Sequence, residues 1–437
     1  MPIFSFPAHI VQRALLALVA LLVMSPAQQL VGQSISLDQA LEQARENGSA
    51  VRIAQARLNA ADTRALVASQ WWLPEVSLGA GYHALSGAAM AIAGDLITDV
   101  SQRNINLAAG LSASWAPGPA MGAYAAASLD AQATSHDLAS VNSAAQLATA
   151  WAYYDLLEAE QTEQALARWG LSNDTWASEL RALVDAGLTP EFTALLVESA
   201  GLTLTAEQAV ASAARSAAAA RLEVQMGTPP QTTSDSSSGQ LRCAETEMLF
   251  VAIQTADNLP HPETLAAQAR LEAAQQRHST ALSEPFLPSV SIGASGGVFG
   301  NDLPDLYGRR GANASLSWRI PLDRIFGAGG ESKLRQSEAS IAEQEVAAVT
   351  QRQGVQRTNA SHGLAAEIAR YEAARSAERV AALALEQSTQ RLALDVAEPQ
   401  EIFIVREAAI EAELDRIRAA AACHRAQWWL RYLQGAL

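Results

Sequence analysis

Two copies of one short segment organise this chain. The sequence WLPEVSLGAG at residues 72–81 returns as FLPSVSIGAS at residues 286–295, with Leu, Pro, Val, Ser, Gly and Ala kept in place. In the first copy Val76, Leu78 and Ala80 alternate with Ser77 and Gly79. Alternation with a period of two predicts a β-strand with one apolar and one polar face. The repeat therefore predicts a duplicated unit built around a strand.

A second alternating segment follows each copy, so each half of the chain predicts one β-hairpin. Both second segments contain a Ser-Trp pair, at residues 114–115 and 317–318. The strands are expected at about residues 72–83 and 104–116 in the first half, and at about 286–298 and 313–321 in the second. Residues 83–104 and 299–312 are expected to form the two hairpin loops.

Prolines lie at the corners between these elements, so uninterrupted helices are expected between them. Residues 35–70 predict one helix capped by Ser36. Residues 121–186 and 330–396 predict two long helices, each roughly 100 Å in length. The predicted fold class is mainly α with a small β part, in two helix–hairpin–long-helix repeats. The repeats span residues 28–227 and 260–437, and residues 228–259 form a linker.

Composition limits the classes of function. The 437 residues carry a net charge of −15 and a pI of about 5.0, which argues against a nucleic-acid partner. Apolar residues make up 49% but aromatic residues only 5%, which favours long, closely packed helices over a thick core. Arg13 precedes an apolar run that ends in small residues, so residues 1–27 predict a secretory signal peptide cleaved after Ala27. No cofactor is expected.

The four strands have the pattern of strands that cross a membrane. Each is long enough, since a tilted spanning strand needs roughly 9–11 residues. One face is apolar and the other carries Ser, Gly and Asn, as in outer-membrane barrels. Aromatic residues expected to form a membrane girdle lie near the strand ends: Trp72, Trp115, Phe286 and Trp318. Four strands cannot close a barrel and open edges are not tolerated in lipid, so several copies must share one barrel.

This order of elements resembles the TolC family of outer-membrane efflux proteins. The resemblance rests on the doubled LPxVSxGA strand and on LSWRIPL at 316–322 followed by GAGG at 327–330. It implies a homotrimer with a twelve-stranded barrel in outer-membrane lipid, continued by a periplasmic α-helical barrel. It also implies a passive channel of a tripartite efflux or type I secretion system, which exports small molecules or ions. A periplasmic adaptor protein and an inner-membrane transporter would be its partners.

The turns at the far ends of the long helices are expected to form the periplasmic mouth. They read DAGL at 185–188 and VAEP at 396–399, where the family often has Arg-x-Gly-Leu. The candidate adaptor-docking residues are Gly187, Leu188, Thr189, Pro190, Ala397 and Pro399, with Thr189 as the helix N-cap. Threefold symmetry would bring like charges together across a pore. The gate candidates are therefore the acidic residues Asp185, Glu191, Asp395 and Glu398, although a solvated cluster is equally compatible.

Other classes of function have weaker support. GASGG at 293–297 matches the G-x-S-x-G pattern but lies within a predicted strand, where a nucleophile elbow does not form. The histidines include no i, i+4 pair, so no metal site is predicted. Cys243 and Cys423 are the two cysteines, and the sequence leaves open whether they pair. An exported structural or adhesive coiled coil is the alternative to a channel.

Overall fold

A computed structural model describes residues 35–90, 96–227, 241, 243, 260–284, 287–300, 306–317, 330–394 and 399–437. The predicted signal peptide and most of the predicted linker lie outside these residues. The elements follow in this order: α1 (Leu37–Asn47), α2 (Ser49–Ser69), β1 (Glu75–Met90), β2 (Leu96–Trp115), α3 (Pro117–Asp185), α4 (Glu191–Met226), α5 (Pro262–Ser283), β3 (Ser289–Gly300), β4 (Tyr307–Ser317), α6 (Gly330–Ala393) and α7 (Pro399–Leu433).

The four strands form one antiparallel sheet in the order β1-β2-β3-β4. Both predicted hairpins are present, and the sheet joins them by pairing β2 with β3, with Trp115 opposite Val290. The pairing places the apolar alternation of neighbouring strands on the same face. Strands β1 and β4 lie at the two edges of the sheet and have no further strand beside them among the described residues.

The hairpins are longer than the alternation predicted. The expectation of loops over 83–104 and 299–312 is wrong, because β1 continues to Met90, β2 begins at Leu96 and β4 begins at Tyr307. A register shift between Gly87 and Ala89 breaks the apolar alternation there, as a bulge does. Backbone hydrogen bonds do not depend on the type of side chain. The strands therefore continue beyond the residues in which apolar and polar side chains alternate.

The first helical segment is two helices rather than one. The capping box at Ser36 is confirmed: Ser36 Oγ accepts from Gln39 N at 3.2 Å, and Gln39 Oε1 accepts from Ser36 N at 3.1 Å. The helix then ends at Gly48, whose ψ of 127° leaves the helical region, and α2 begins at Ser49. The predicted continuous helix over 35–70 is therefore wrong, because glycine carries little intrinsic preference for the helix interior.

The helices lie side by side. Helix α3 extends along the whole row of helices. Its part near the strands contacts α2 and α5, and its part away from the strands contacts α4 and α7. Helix α6 contacts α5 in the near half and α7 in the far half, while α1 lies against α3 and α4. Near the strands the helices form a row in the order α2, α3, α5 and α6. Away from the strands the order is α4, α3, α7 and α6.

Alanine makes the contacts between helices. Ala40, Ala44, Ala150, Ala165, Ala266, Ala273, Ala419, Ala420 and Ala421 are completely buried. Larger side chains are completely or almost completely buried only in small clusters, such as Leu180 with Val197 between α3 and α4. Small side chains allow long helices to approach closely along their whole length, in agreement with the low aromatic content. The result is a wall of helices rather than a globular core.

Candidate channel wall, distal turns and open edges

The sheet separates apolar and polar side chains onto its two faces. One row of paired positions consists of Val76, Leu111, Ala294 and Ala312, and the row beside it consists of Ser77, Gly110, Ser295 and Gly311. No element among the described residues covers the apolar face, and Leu78 is 83% exposed. A face that is both apolar and uncovered is suited to lipid, and the opposite face is suited to water.

The aromatic residues predicted at the strand ends are described in part. Trp72 is exposed, and its carbonyl oxygen accepts a hydrogen bond from Trp115 Nε1 at 3.0 Å. The two residues therefore lie together where β1 begins and β2 ends. Phe286 and Trp318, their predicted counterparts in the second hairpin, lie outside the described residues.

The first distal turn closes on a glycine with positive φ. Helix α3 ends at Asp185, and Gly187 has a φ of 71°. Gly187 N donates to the Val184 oxygen and Leu188 N to the Leu183 oxygen, both at 2.9 Å, which is the bonding pattern of a glycine-terminated helix. Leu188 is strongly exposed at the tip.

The chain re-enters a helix at Pro190 rather than at Thr189. The N-cap of α4 is Pro190, with no side-chain hydrogen bond, so the prediction of Thr189 as the N-cap is wrong. The fixed φ of proline already suits the start of a helix, and the backbone supplies a bond from Thr193 N to the Pro190 oxygen at 3.1 Å. Glu191 lies in the first turn of α4, where a carboxylate is favoured by the helix dipole.

The second distal turn is described only at its borders. Asp395, Ala397 and Glu398 lie outside the described residues, and Pro399 begins α7. An ion pair of 3.6 Å joins Arg391 at the end of α6 to Glu401 at the start of α7. The two helix ends are therefore close together, as an antiparallel helix pair requires.

The helix row leaves large apolar side chains uncovered along its two open sides. On the first side these are Ile53, Leu66 and Val67 of α2 with Leu202 and Val224 of α4. On the second side they are Leu334, Ile341, Val355, Val380 and Leu383 of α6. All are more than half exposed. Apolar exposure repeated over the length of both sides is typical of a surface that another chain covers.

A contact that joins the two repeats escaped the sequence reasoning. Arg277 and Arg270 of α5 form ion pairs with Asp130 and Asp137 of α3. Close to them Gly122 of α3 lies so near Thr280 of α5 that no side chain larger than hydrogen fits. The signal was present, since AQARLNAADTR at 54–64 recurs as AQARLEAAQQR at 267–277.

The two cysteines meet between the second repeat and the segment that precedes it. Cys243 and Cys423 are joined as a disulfide, with their Cα atoms 6.0 Å apart. Leu241, two residues earlier, is buried against Tyr371 of α6 and Ala420 of α7. The segment containing Leu241 and Cys243 therefore lies across helices α6 and α7, far along the sequence from both.

A groove between α3, α4 and α7 contains an unusual arginine. The groove has a volume of about 950 Å³ and is lined by Leu204, Ile410 and Arg406 among others. The Arg406 guanidinium lies 5.5 Å from the ring centres of both Trp169 and Trp176, and burial lowers its pKa. Within the described residues it has no carboxylate partner at ion-pair distance. Its Nη2 donates to the Trp169 oxygen at 3.2 Å and the two rings face its charge, while its buried Nε has no hydrogen-bond partner there.

The described part of the chain bears on three features of other protein classes: a metal site, a membrane-spanning helix and a hydrolase nucleophile elbow. No group of three acidic, histidine or cysteine side chains there could hold a metal ion. None of the helices described is both long and apolar enough to cross a membrane. The GASGG segment lies inside β3, which continues to Gly300, so the strand-to-helix elbow of a hydrolase does not form at Ser295.

Solved structures that share this fold include several outer-membrane channels. OprN has a TM-score of 0.74 and 17% identity, over 92% of this chain and 90% of that chain. CmeC of Campylobacter jejuni has a TM-score of 0.74 and 14% identity, over 92% and 85% of the two chains. MtrE of Neisseria gonorrhoeae, in its open state, has a TM-score of 0.72 and 17% identity, over 91% and 88%.

At these identities the likeness establishes the fold. The chain has the fold of TolC-like outer-membrane channels, which confirms the resemblance to that family and the mainly helical chain with a small sheet. Neither a protein-family model nor a curated protein sequence matches the chain.

Proposed function

We propose that this protein is the passive outer-membrane channel of a tripartite efflux or type I secretion system. One observation carries the proposal: a sheet with two open edges and an apolar face uncovered among the described residues continues from β2 directly into α3, a helix of 69 residues. Such a helix is long enough to reach deep into the periplasm. The fold shared with outer-membrane channels supports it. Small molecules or ions would pass from the periplasm to the outside of the cell, with no chemical step.

Closure of the barrel follows from the repeat. Within the chain, Ile292 of β3 lies opposite Ala113 of β2. The matching positions at the open edges are Leu78 of β1 and Leu316 of β4, since Leu78 and Ile292 share a place in the repeated segment and Leu316 precedes the second Ser-Trp pair. Pairing β4 of one copy with β1 of the next removes both edges, which lipid requires. Three copies give the homotrimer and the twelve strands that the resemblance implies.

The experiment that tests the channel uses the full-length protein. Expressed in a Gram-negative host, it should fractionate with the outer membrane and migrate as a heat-dissociable trimer. The purified trimer should give stepwise conductance in planar lipid bilayers. A soluble or monomeric protein without conductance would overturn the proposal and favour the exported coiled-coil alternative.

We propose that the distal turns form the periplasmic mouth and contact the adaptor, through which an inner-membrane transporter supplies the energy. Gly187 holds the first turn in a left-handed conformation that a β-branched residue adopts poorly. Gly187→Val should therefore impair efflux in cells while leaving the bilayer conductance of the trimer unchanged. Gly170→Val, at an open position within α3, is the matched control and should behave as wild type. Normal efflux with Gly187→Val would move the adaptor site elsewhere.

The gate is proposed at the acidic residues of the same turns. Three copies of Asp395 and Glu398 near a narrowing pore would repel one another and attract cations. Asp395→Asn combined with Glu398→Gln should weaken block by divalent cations in bilayers and leave the trimer intact. Glu401→Gln is the control, because Glu401 belongs to the same turn but is paired with Arg391. Unchanged block in the double variant would assign both carboxylates to the outer wall. Asp185 and Glu191 of the first turn would be tested in the same way.

A further inference from the structure

Helix α2 carries the same pair of arginines as α5, at the same spacing. Arg57 and Arg64 of α2 occupy the places of Arg270 and Arg277 in the repeated AQARL segment. Residues seven apart lie on one face of a helix, two turns from each other. Arg270 and Arg277 use this face to join the two repeats, by pairing with Asp137 and Asp130 of α3.

Helix α6 carries the matching carboxylates. When α3 from Gly122 to Val141 is aligned with α6 from Gly330 to Val349, Asp130 matches Glu338 and Asp137 matches Glu345, and no gap is needed. Both carboxylate pairs are again seven residues apart. The second repeat thus presents on α6 the same two-carboxylate face that α3 presents to α5.

These matched residues are exposed at the two open sides of the chain. Arg57, Arg64 and Glu345 are exposed and have no ion-pair partner among the described residues. Arg64 and Asp130 line the same small cavity, but Asp130 is paired with Arg277. Among the described residues, Glu338 pairs only with Arg335 of its own helix, at 3.0 Å. An exposed ion pair between neighbours in one helix is weak and exchanges readily.

Two glycines mark the same contact. Gly122 of α3 lies against Thr280, whereas an added Cβ at Gly330 of α6 would meet nothing within 4 Å. The residue of α2 that matches Thr280 is Val67, which is 63% exposed. The residues that match this close contact therefore lie on the two open sides of the chain, Gly330 on the α6 side and Val67 on the α2 side.

We propose that two ion pairs set the register between neighbouring copies, Arg64 with Glu338 and Arg57 with Glu345 of the next copy, and that Gly330 lies on Val67 beside them. The proposal rests on the ring assembly of the proposed function and names the side chains that align it. The occupant of each open side is a second copy of this chain. Six such ion pairs form around a trimer.

The ion pairs would determine how neighbouring copies are aligned more than they would increase the affinity between them. Exposed ion pairs contribute little to association, so the apolar edges supply most of the association energy. Two α2 helices placed together would bring four arginines face to face, which disfavours a symmetric dimer through these edges. An α2 helix against an α6 helix joins unlike charges, and this head-to-tail contact closes into a ring.

Cysteine cross-linking tests the register. The pair Arg57→Cys with Glu345→Cys should yield covalently linked dimers and trimers under mild oxidation, seen on non-reducing gels. Arg270→Cys with Asp137→Cys is the matched control, and it should cross-link within one chain and leave the monomer band. Arg57→Cys with Glu338→Cys is displaced by two helical turns and should link poorly.

Charge reversal provides a second measurement that does not depend on cysteines. Arg64→Glu and Glu338→Arg should each reduce the heat-resistant trimer band, and the double variant should restore it. Trimers that form without the predicted link, or that link best in the displaced pair, would overturn the register and leave the channel standing. A wild-type protein that forms no trimer would overturn the proposed function itself.

Discussion

Helices α2 and α5 share a sequence, but they bury different amounts of it. Ala54 and Ala61 of α2 are buried, as are the matching Ala267 and Ala274 of α5. A second face is buried only in α5: Ala266 is completely buried, whereas the matching Ile53 of α2 is 56% exposed. Helix α5 lies between α3 and α6, while α2 has α3 on one side and no helix beyond it among those described.

This difference shows that α2 has the sequence of an interior helix at the position of an edge helix. Duplication gave both helices one pattern, and chain connectivity placed α5 in the middle of the row and α2 at its end. The uncovered face of α2 keeps the apolar and arginine positions that α5 uses to contact α3. An edge of this kind is complete only when the next copy supplies the missing neighbour. Substitutions at matched positions of the two repeats test this difference between α2 and α5.

The largest effect is expected on the lipid-facing positions of the sheet. Leu78→Arg, Leu111→Arg and Ile292→Arg should each cost about 2–4 kcal/mol per copy near the middle of the bilayer. Leu78 and Ile292 hold the same place in the two repeats, so their losses should be similar. Ser77→Arg and Ser291→Arg, on the opposite face, should be tolerated. The measurement is the amount of heat-dissociable trimer in outer membranes, and equal assembly of both sets would contradict the assignment of faces.

A similar loss is expected at the disulfide, which joins Cys243 of the segment before the second repeat to Cys423 of α7. Cys243→Ser with Cys423→Ser should lower the free energy of unfolding by roughly 2–4 kcal/mol, because the bond restricts the unfolded chain. Denaturation of the purified protein in detergent measures this loss. The unreduced wild type should contain no titratable thiol. Two reactive thiols in the wild-type trimer would show that the cysteines are not paired.

A smaller effect is expected from the ion pairs of the far half. Arg425 of α7 pairs with Asp155 and Glu158 of α3, and its side chain is 29% exposed. Arg425→Ala should cost roughly 1–3 kcal/mol, because it leaves two partly buried carboxylates without their partner. Arg215 of α4 also pairs with α3, through Glu163 at 3.0 Å, but is 43% exposed. Arg215→Ala should cost no more than about 1 kcal/mol. Equal losses in denaturation would contradict this ranking.

The smallest effect concerns the N-caps, where the repeats differ most in chemistry. The cap of α2 is Gly48 and the cap of α5 is His261, whose Nδ1 accepts from Glu263 N at 3.3 Å. Burial lowers the pKa of His261, and the charge of Arg357 adds to this against the opposing charge of Glu263. The unfolded chain therefore binds the proton more readily, so stability falls as the pH drops below about 6.5. His261→Asn keeps a cap and should remove this loss, as measured by denaturation at pH 7.5 and pH 5.5.

The sequence by itself determined the elements whose signals are local. Alternation placed the four strands, and prolines with helical periodicity placed the long helices. The caps at Ser36 and Gly227 followed from residue type, and Gly227 indeed has a φ of 69°. The repeat determined that the two halves share one design. These features depend on residues within a few positions of one another, so they can be predicted directly from the sequence.

The tertiary structure decided what depends on residues far apart in the chain. The strands extend past their alternating part because backbone pairing continues across the hairpin. Arg277 meets Asp130 because helices distant in sequence lie side by side, and Cys243 meets Cys423 because the segment before the second repeat packs on α6 and α7. The same segment is interior in α5 and an open edge in α2 because connectivity gives each a different set of neighbours. Local patterns specify which face of an element is apolar, but only packing determines which neighbour covers it.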